Sequence, residues 1–152
     1  LMTTLAAIAF RLLCALLAGA QVFFIAAATQ VIFPKDVAAL PHGDPRRTLA
    51  ADLVGKLLAR LDAATIVGCA VAIACVVFLS TRGGSLRPAL LPLLAASCAL
   101  ASAFWTTPAI RSLRAAGLTQ TPSFGLMHAV SSSLLLVELV LLLIAAARPW
   151  RS

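Results

Sequence analysis

The chain has 152 residues, of which 62% are hydrophobic and only 11% charged, and its net charge is +7. A soluble domain is closer to about a quarter charged, and a small one keeps too much surface exposed to hide this much apolar side chain. That balance excludes an ordinary soluble globular protein and points to one all-α membrane domain over residues 1–152. The basic residues sit at helix ends and loops with no aromatic-interleaved stripe, so nucleic acid is not the expected partner. The expected partner is the lipid bilayer, with basic residues marking its boundaries and meeting anionic headgroups.

The first predicted span covers residues 3–33, with no charge between Arg11 and Lys35. A helix rising about 1.5 Å per residue needs about 20 residues to cross a hydrocarbon core of about 30 Å. Ala18-Gly19-Ala20 resembles a signal-peptide cleavage site. Apolar sequence nevertheless continues to Phe33, and Arg11 interrupts the stretch such a peptide would need, so the helix is expected to be retained. Ala15 and Gly19, four apart, form a small-residue ridge suited to close helix packing. Gln21 and Gln30 are the polar residues of this span.

Residues 33–47, FPKDVAALPHGDPRR, hold three prolines and a glycine and form the longest loop. The second span covers 48–80. Its later part, AATIVGCAVAIACVVFL, is uncharged; its opening, LAADLVGKLLARLD, is not. Asp52, Lys56 and Arg60 follow at i, i+4 and i+8 on one stripe, and Asp52 and Lys56 are expected to pair. Asp62 points about 200° away from Arg60. Gly55, Ala59 and Ala63, then Gly68 and Ala72, are further small ridges.

After a tight turn at Gly83-Gly84, the third span covers 86–115, with no charge from Pro88 to Ile110. Ala95, Ala99 and Ala103 are its small ridge. Thr106, Thr107 and Pro108 lie at the depth of the polar residues on the second span, and Pro108 is expected to bend the helix. Pro122-Ser123 suits the start of the fourth span, 123–147. This span carries His128, three serines and Glu138; Ser131 and Glu138 are seven apart and share a face. Trp150, between Arg148 and Arg151, reads as an interfacial anchor.

Short connections make neighbouring spans antiparallel, giving a four-helix bundle. Arg82, Arg87, Arg148 and Arg151 then lie at one end. Lys35, Arg46, Arg47, Arg111 and Arg114 lie at the end carrying the longer loop, called the loop side below. The balance is too even to set orientation, or to distinguish a bacterial inner membrane from an organelle membrane. Charges within spans cost several kcal/mol, roughly 3 at mid-membrane on insertion scales, so each calls for a partner. Depth gathers a polar network in the loop-side half: Gln21, Gln30, Lys56, Arg60, Asp62, Arg111, His128 and Ser131. Glu138 is deeper; Arg11, at equal depth from the other end, is its expected partner ahead of Arg60, about four residues shallower from the loop side, unless the acid carries a proton.

Catalytic and metal motifs are absent: there is no GxSxG, Walker A, HExxH or CxxC. Cys14, Cys69, Cys75 and Cys98 read as packing residues inside apolar segments. Neither cofactor nor metal is expected, with His128 the candidate ligand if a haem or metal is bound; His42 is far from it in sequence.

The segments GAQVFFIAAATQVIF, AADLVGKLLARLD, WTTPAIRSLR and FGLMHAVSSSLLLVELV occur in the order found in the transmembrane-protein-205-like family, which this chain resembles. The likeness places Gly19, Gly55, Pro108, Arg111, His128 and Ser131 at recurrent family positions and implies a four-span membrane fold with no established activity. The chain is more distantly similar to copper-resistance D and HemJ-type haem-binding membrane proteins. Those carry a first-helix histidine after an arginine, where RLLCALLAG here has Cys14, so neither haem binding nor their oxidation chemistry is carried over. The expectation is a non-catalytic multi-pass membrane protein, an accessory or scaffolding subunit held with other membrane subunits. The alternatives are a small transporter or channel-like protein using the polar half, or a haem- or metal-binding redox protein with His128 as ligand.

Overall fold

The computed structural model describes residues 2–41 and 43–148; His42, Trp150 and Arg151 lie outside them. The described residues form helices and no strand. Four helices are long and apolar enough to cross a membrane: Met2–Ile32, Pro45–Ser80, Arg87–Ala115 and Pro122–Ala147. A further helical turn, Lys35–Ala38, lies in the long loop. Consecutive spans pack against one another, and the first closes on the fourth. The result is an antiparallel four-helix bundle.

Local chemistry sets where each helix starts and stops. The second span opens with Asp44 as its cap, whose Oδ1 accepts from the Arg46 amide at 2.8 Å, and with Pro45 in its first turn. It ends at Ser80, and the turn that follows passes through Gly83, whose φ of +89° suits glycine, with the Gly84 amide reaching back to the Leu79 carbonyl. Gly117, at φ +72°, ends the third span in the same way, with the Leu118 amide donating to Leu113. The fourth span opens on Thr121, whose hydroxyl accepts from the Phe124 amide. In the long loop Arg47 donates to the Leu40 carbonyl. The second span has 36 residues, about 54 Å at about 1.5 Å each. It outruns the hydrocarbon layer at the loop side, where Asp52, Lys56 and Arg60 are exposed.

Two spans are interrupted by a wide π turn, at Phe24–Ala28 and at Ser102–Thr106. The second is followed, after Thr107, by Pro108. Proline cannot donate to a carbonyl four residues back, and its ring crowds that carbonyl, so the expected bend takes the form of a widened turn.

Reading the buried positions along each helix gives a heptad-like seam. On the second span it runs Asp62, Thr65, Cys69, Ala72, Val76, Leu79; on the third, Pro92, Ala95, Ala99, Ser102, Thr106. Spacings of three and four residues are those of ridges packed into grooves at a shallow angle. Gly68 lets the first span come close: a Cβ there would lie 2.8 Å from Leu17 Cδ1. Ala15 and Gly19, expected inside, instead face outward. The end opposite the long loop is filled by Phe10, Cys14, Leu17, Ala18, Cys69, Ala72, Val76, Ala95, Leu142 and Ala145, all apolar. Large apolar side chains such as Leu16, Val67 and Phe104 are exposed all round, a surface suited to lipid rather than water.

Candidate functional site

The seam changes character midway. Above the apolar core every span contributes a buried polar group: Gln21 from the first, Asp62 and Thr65 from the second, Ser102, Thr106 and Thr107 from the third, Ser131 and Glu138 from the fourth. Gln21 sits one turn before the first π turn, and Ser102 and Thr106 bracket the second.

Hydrogen bonds tie the layer across helices. Gln21 Nε2 donates to Glu138 Oε2 at 2.8 Å and lies 3.5 Å from Thr65 Oγ1. Ser102 Oγ donates to Asp62 Oδ2 at 2.9 Å. Thr106 Oγ1 donates to the Ser102 carbonyl. Among the described residues no Lys, Arg or His is buried, so the layer holds two acids and neutral donors. Gln21 Oε1, Asp62 Oδ1, Thr107 Oγ1 and Glu138 Oε1 are buried without a hydrogen-bond partner. In native proteins such orphaned atoms are few, and each asks for a cause.

The residues expected to form one polar network divide. Gln21, Asp62 and Ser131 are in the layer, whereas Gln30, Lys56, Arg60, Arg111 and His128 are exposed on the outside. His128 lies against the Phe124 ring, centroids 6.0 Å apart. Among the described residues no group of three or more His, Cys, Asp or Glu side chains is placed to hold a metal. Asp52 bonds Arg114 of the third span at 3.3 Å rather than Lys56.

Glu138 is part of the layer, not a separate deeper group, and the expected Arg11–Glu138 pair is replaced by other contacts. Gln21 takes Glu138 Oε2, and Arg11 Nε donates to the Ala146 carbonyl at 3.0 Å. Equal depth was the wrong measure because the first span overhangs the fourth. Arg11 is level with Ala146, near the end of the fourth helix, while Glu138 is eight residues further in, about 12 Å along the axis.

Thr65 and Ser102 are the members that depth alone passes over, and Thr106 and Thr107 stood at the right depth without a role. Their signal was azimuth. Asp62 and Thr65 continue the same seam as Cys69 and Ala72, and Ser102 and Thr106 continue that of Ala95 and Ala99.

The model of a domain of unknown function, DUF4149, matches residues 12–119. These residues contain the first span from Leu12 onward, all of the second and third, and every buried polar residue these three contribute. The chain belongs to this family. Neither a curated protein nor a solved structure matches it significantly. Within the DUF4149 match fall Gln21, Asp62, Thr65, Ser102, Thr106 and Thr107; Ser131 and Glu138, on the fourth span, lie beyond it.

Proposed function

We propose that this DUF4149 protein is a non-catalytic membrane protein of the small-transporter kind, in which Glu138 and Asp62 bind and pass protons inside the bundle. One observation carries the reading: both acids have a buried oxygen that no protein group bonds, in a layer where no cation is buried among the described residues. A pair of unpaired carboxylate charges in this setting is costly. One proton on Glu138 Oε1 would let it donate to Gln21 Oε1 while Oε2 keeps the bond from Gln21 Nε2. That single addition would supply a donor to a layer in which both of these oxygens are otherwise orphaned. The apolar core closes one end, and Asp62, Thr106, Thr107 and Ser131 continue the polar trail toward the loop side, so exchange runs to that side. The resemblance to the transmembrane-protein-205-like group is compatible with this reading through its span number and adds no activity.

The test is infrared difference spectroscopy of the protein in lipid across a pH titration. The expected result is a protonated-carboxyl band that disappears in Glu138→Gln. A wild-type spectrum without such a band, or a band untouched by both Glu138→Gln and Asp62→Asn, would overturn the reading.

A second reading, an accessory or scaffolding subunit, is favoured by the outward ridge of Ala15 and Gly19. A Cβ on Gly19 would meet nothing within 4 Å, and small residues at this spacing let a neighbouring helix approach closely. Co-purification of a fixed partner in mild detergent, lost in Gly19→Leu, supports it; a partner-free protein from native membranes counts against it.

A further inference from the structure

Away from the polar layer, the first and fourth spans leave an open groove on the outer surface, at the end of the bundle opposite the long loop. It encloses about 290 Å³ and is lined by Ile8, Arg11, Leu12, Ala15 and Ala146. Ile8, Leu12 and Ala15 are exposed and follow at i, i+4 and i+7, one apolar stripe beside Arg11.

Arg11 is exposed as well, yet it is held in place. Its Nε donates to the Ala146 carbonyl at 3.0 Å. The fourth helix ends at Ala147, so this carbonyl is one of those a helix end leaves without an internal donor. Arg11 caps it from a neighbouring helix, where a cation also complements the helix dipole. The level is that of the hydrocarbon edge. The charge-free run from Leu12 to Pro34 has 23 residues, about 34 Å of helix against a core of about 30 Å. Arg148, two residues beyond Ala146, brings a second cation to the same end.

We propose that this groove binds an anionic phospholipid, its phosphate on the Arg11 guanidinium and one acyl chain along Leu12 and Ala15. The guanidinium fork matches phosphate geometry, and the apolar stripe beside it matches a hydrocarbon chain, which free phosphate lacks. A zwitterionic lipid carries the same phosphate with its own ammonium group, so the Arg11 guanidinium, the one cation lining the groove, selects for net negative charge.

Native mass spectrometry of the full chain, titrated separately with phosphatidylglycerol and phosphatidylcholine, tests this. Phosphatidylglycerol is expected to bind about fivefold more tightly, the factor that one basic residue near an anionic headgroup gives. Arg11→Gln should bring the ratio close to one, while Arg87→Gln, at the same end but outside the groove, keeps it. Ala15→Phe should fill the groove and lower the occupancy of both lipids without touching the bond to Ala146. Because the preference is a ratio within one protein, a general loss of stability in Arg11→Gln does not mimic the effect. Equal binding of the two lipids by the wild type, or an unchanged ratio in Arg11→Gln, overturns the proposal. So does a co-purifying protein that blocks phosphatidylglycerol and is released by Ala15→Phe.

Discussion

Glu138 and Gln21 form a complementary pair when the acid is neutral, and this makes a residue-level prediction. Glutamine at 138 has the shape of a neutral glutamic acid, with an N–H where the acid has its O–H. Glu138→Gln is therefore expected to change stability in lipid or detergent by less than about 1 kcal/mol. Gln21→Leu removes the donor to Glu138 and orphans a second carboxyl oxygen, so it is expected to cost about 1–3 kcal/mol. Thermal unfolding of the two variants in one detergent measures both, and equal losses would refute the neutral pair. The residue scale is also where the sequence was least legible. Gln21, Asp62 and Ser131 could be picked out because each is polar inside an apolar run. Depth groups Gln30, Lys56, Arg60, Arg111 and His128 with them, but depth says nothing about which way a side chain points. Long cationic side chains at a helix end reach outward to the headgroups, and the structure leaves these exposed.

At the scale of the element, the π turns and caps decide what each helix presents inward. A π turn takes about one more residue than an α turn, so Ser102–Thr106 accommodates an extra residue without rotating the flanking seam. Deleting Ala103 should let that turn relax to α with Ala95 and Ala99 still facing inward. Deleting Ala96 instead turns everything on one side of it by about 100° relative to the other, and is expected to abolish the folded bundle. Retention of a cooperative melt by the first variant only is the expected outcome. The start of the second span gives a pH prediction outside the membrane. The Arg46 amide, with the Arg46 side chain, holds the Asp44 carboxyl below its ordinary value of 3.8. A carboxyl lowered in this way stabilises the folded helix start fully above the unfolded value, and the contribution is lost as pH falls through the lower folded value. Protection of the Arg46 and Arg47 amides, measured as exchange relative to the intrinsic rate at the same pH, should therefore fall below about pH 4 in the wild type, and be low and independent of pH in Asp44→Ala. The cap itself was not singled out from sequence, although Asp-Pro before a helical run is its usual signature; the prolines around it marked only a break.

For the whole molecule, the four spans could be read from hydropathy because a bilayer demands long apolar helices and little else. The distribution of polarity within the bundle could not, since it depends on how far each helix slides past its neighbours. The register that puts Arg11 beside Ala146 and Gln21 beside Glu138 gives the bundle unequal halves. One half is an apolar core containing Cys14 and Cys69, both fully buried. The other holds the unpartnered polar atoms and the polar trail to the loop side. Water entering such a bundle goes where it finds several polar partners, and a dry apolar core does not supply them. A membrane-permeant maleimide offered to the wild type is thus expected to leave Cys14 and Cys69 unmodified. A small water-soluble reagent should modify a cysteine placed at Ser131, and more slowly one placed at Thr65, because Thr65 lies beside the Gln21–Glu138 pair. Replacing Thr107 with valine removes an orphaned hydroxyl from the trail and should slow modification at position 131 without altering the melt. Modification of Cys69 at the rate seen at position 131 would mean that the apolar half is open as well. The proton route proposed here would then lose the seal that gives it a direction.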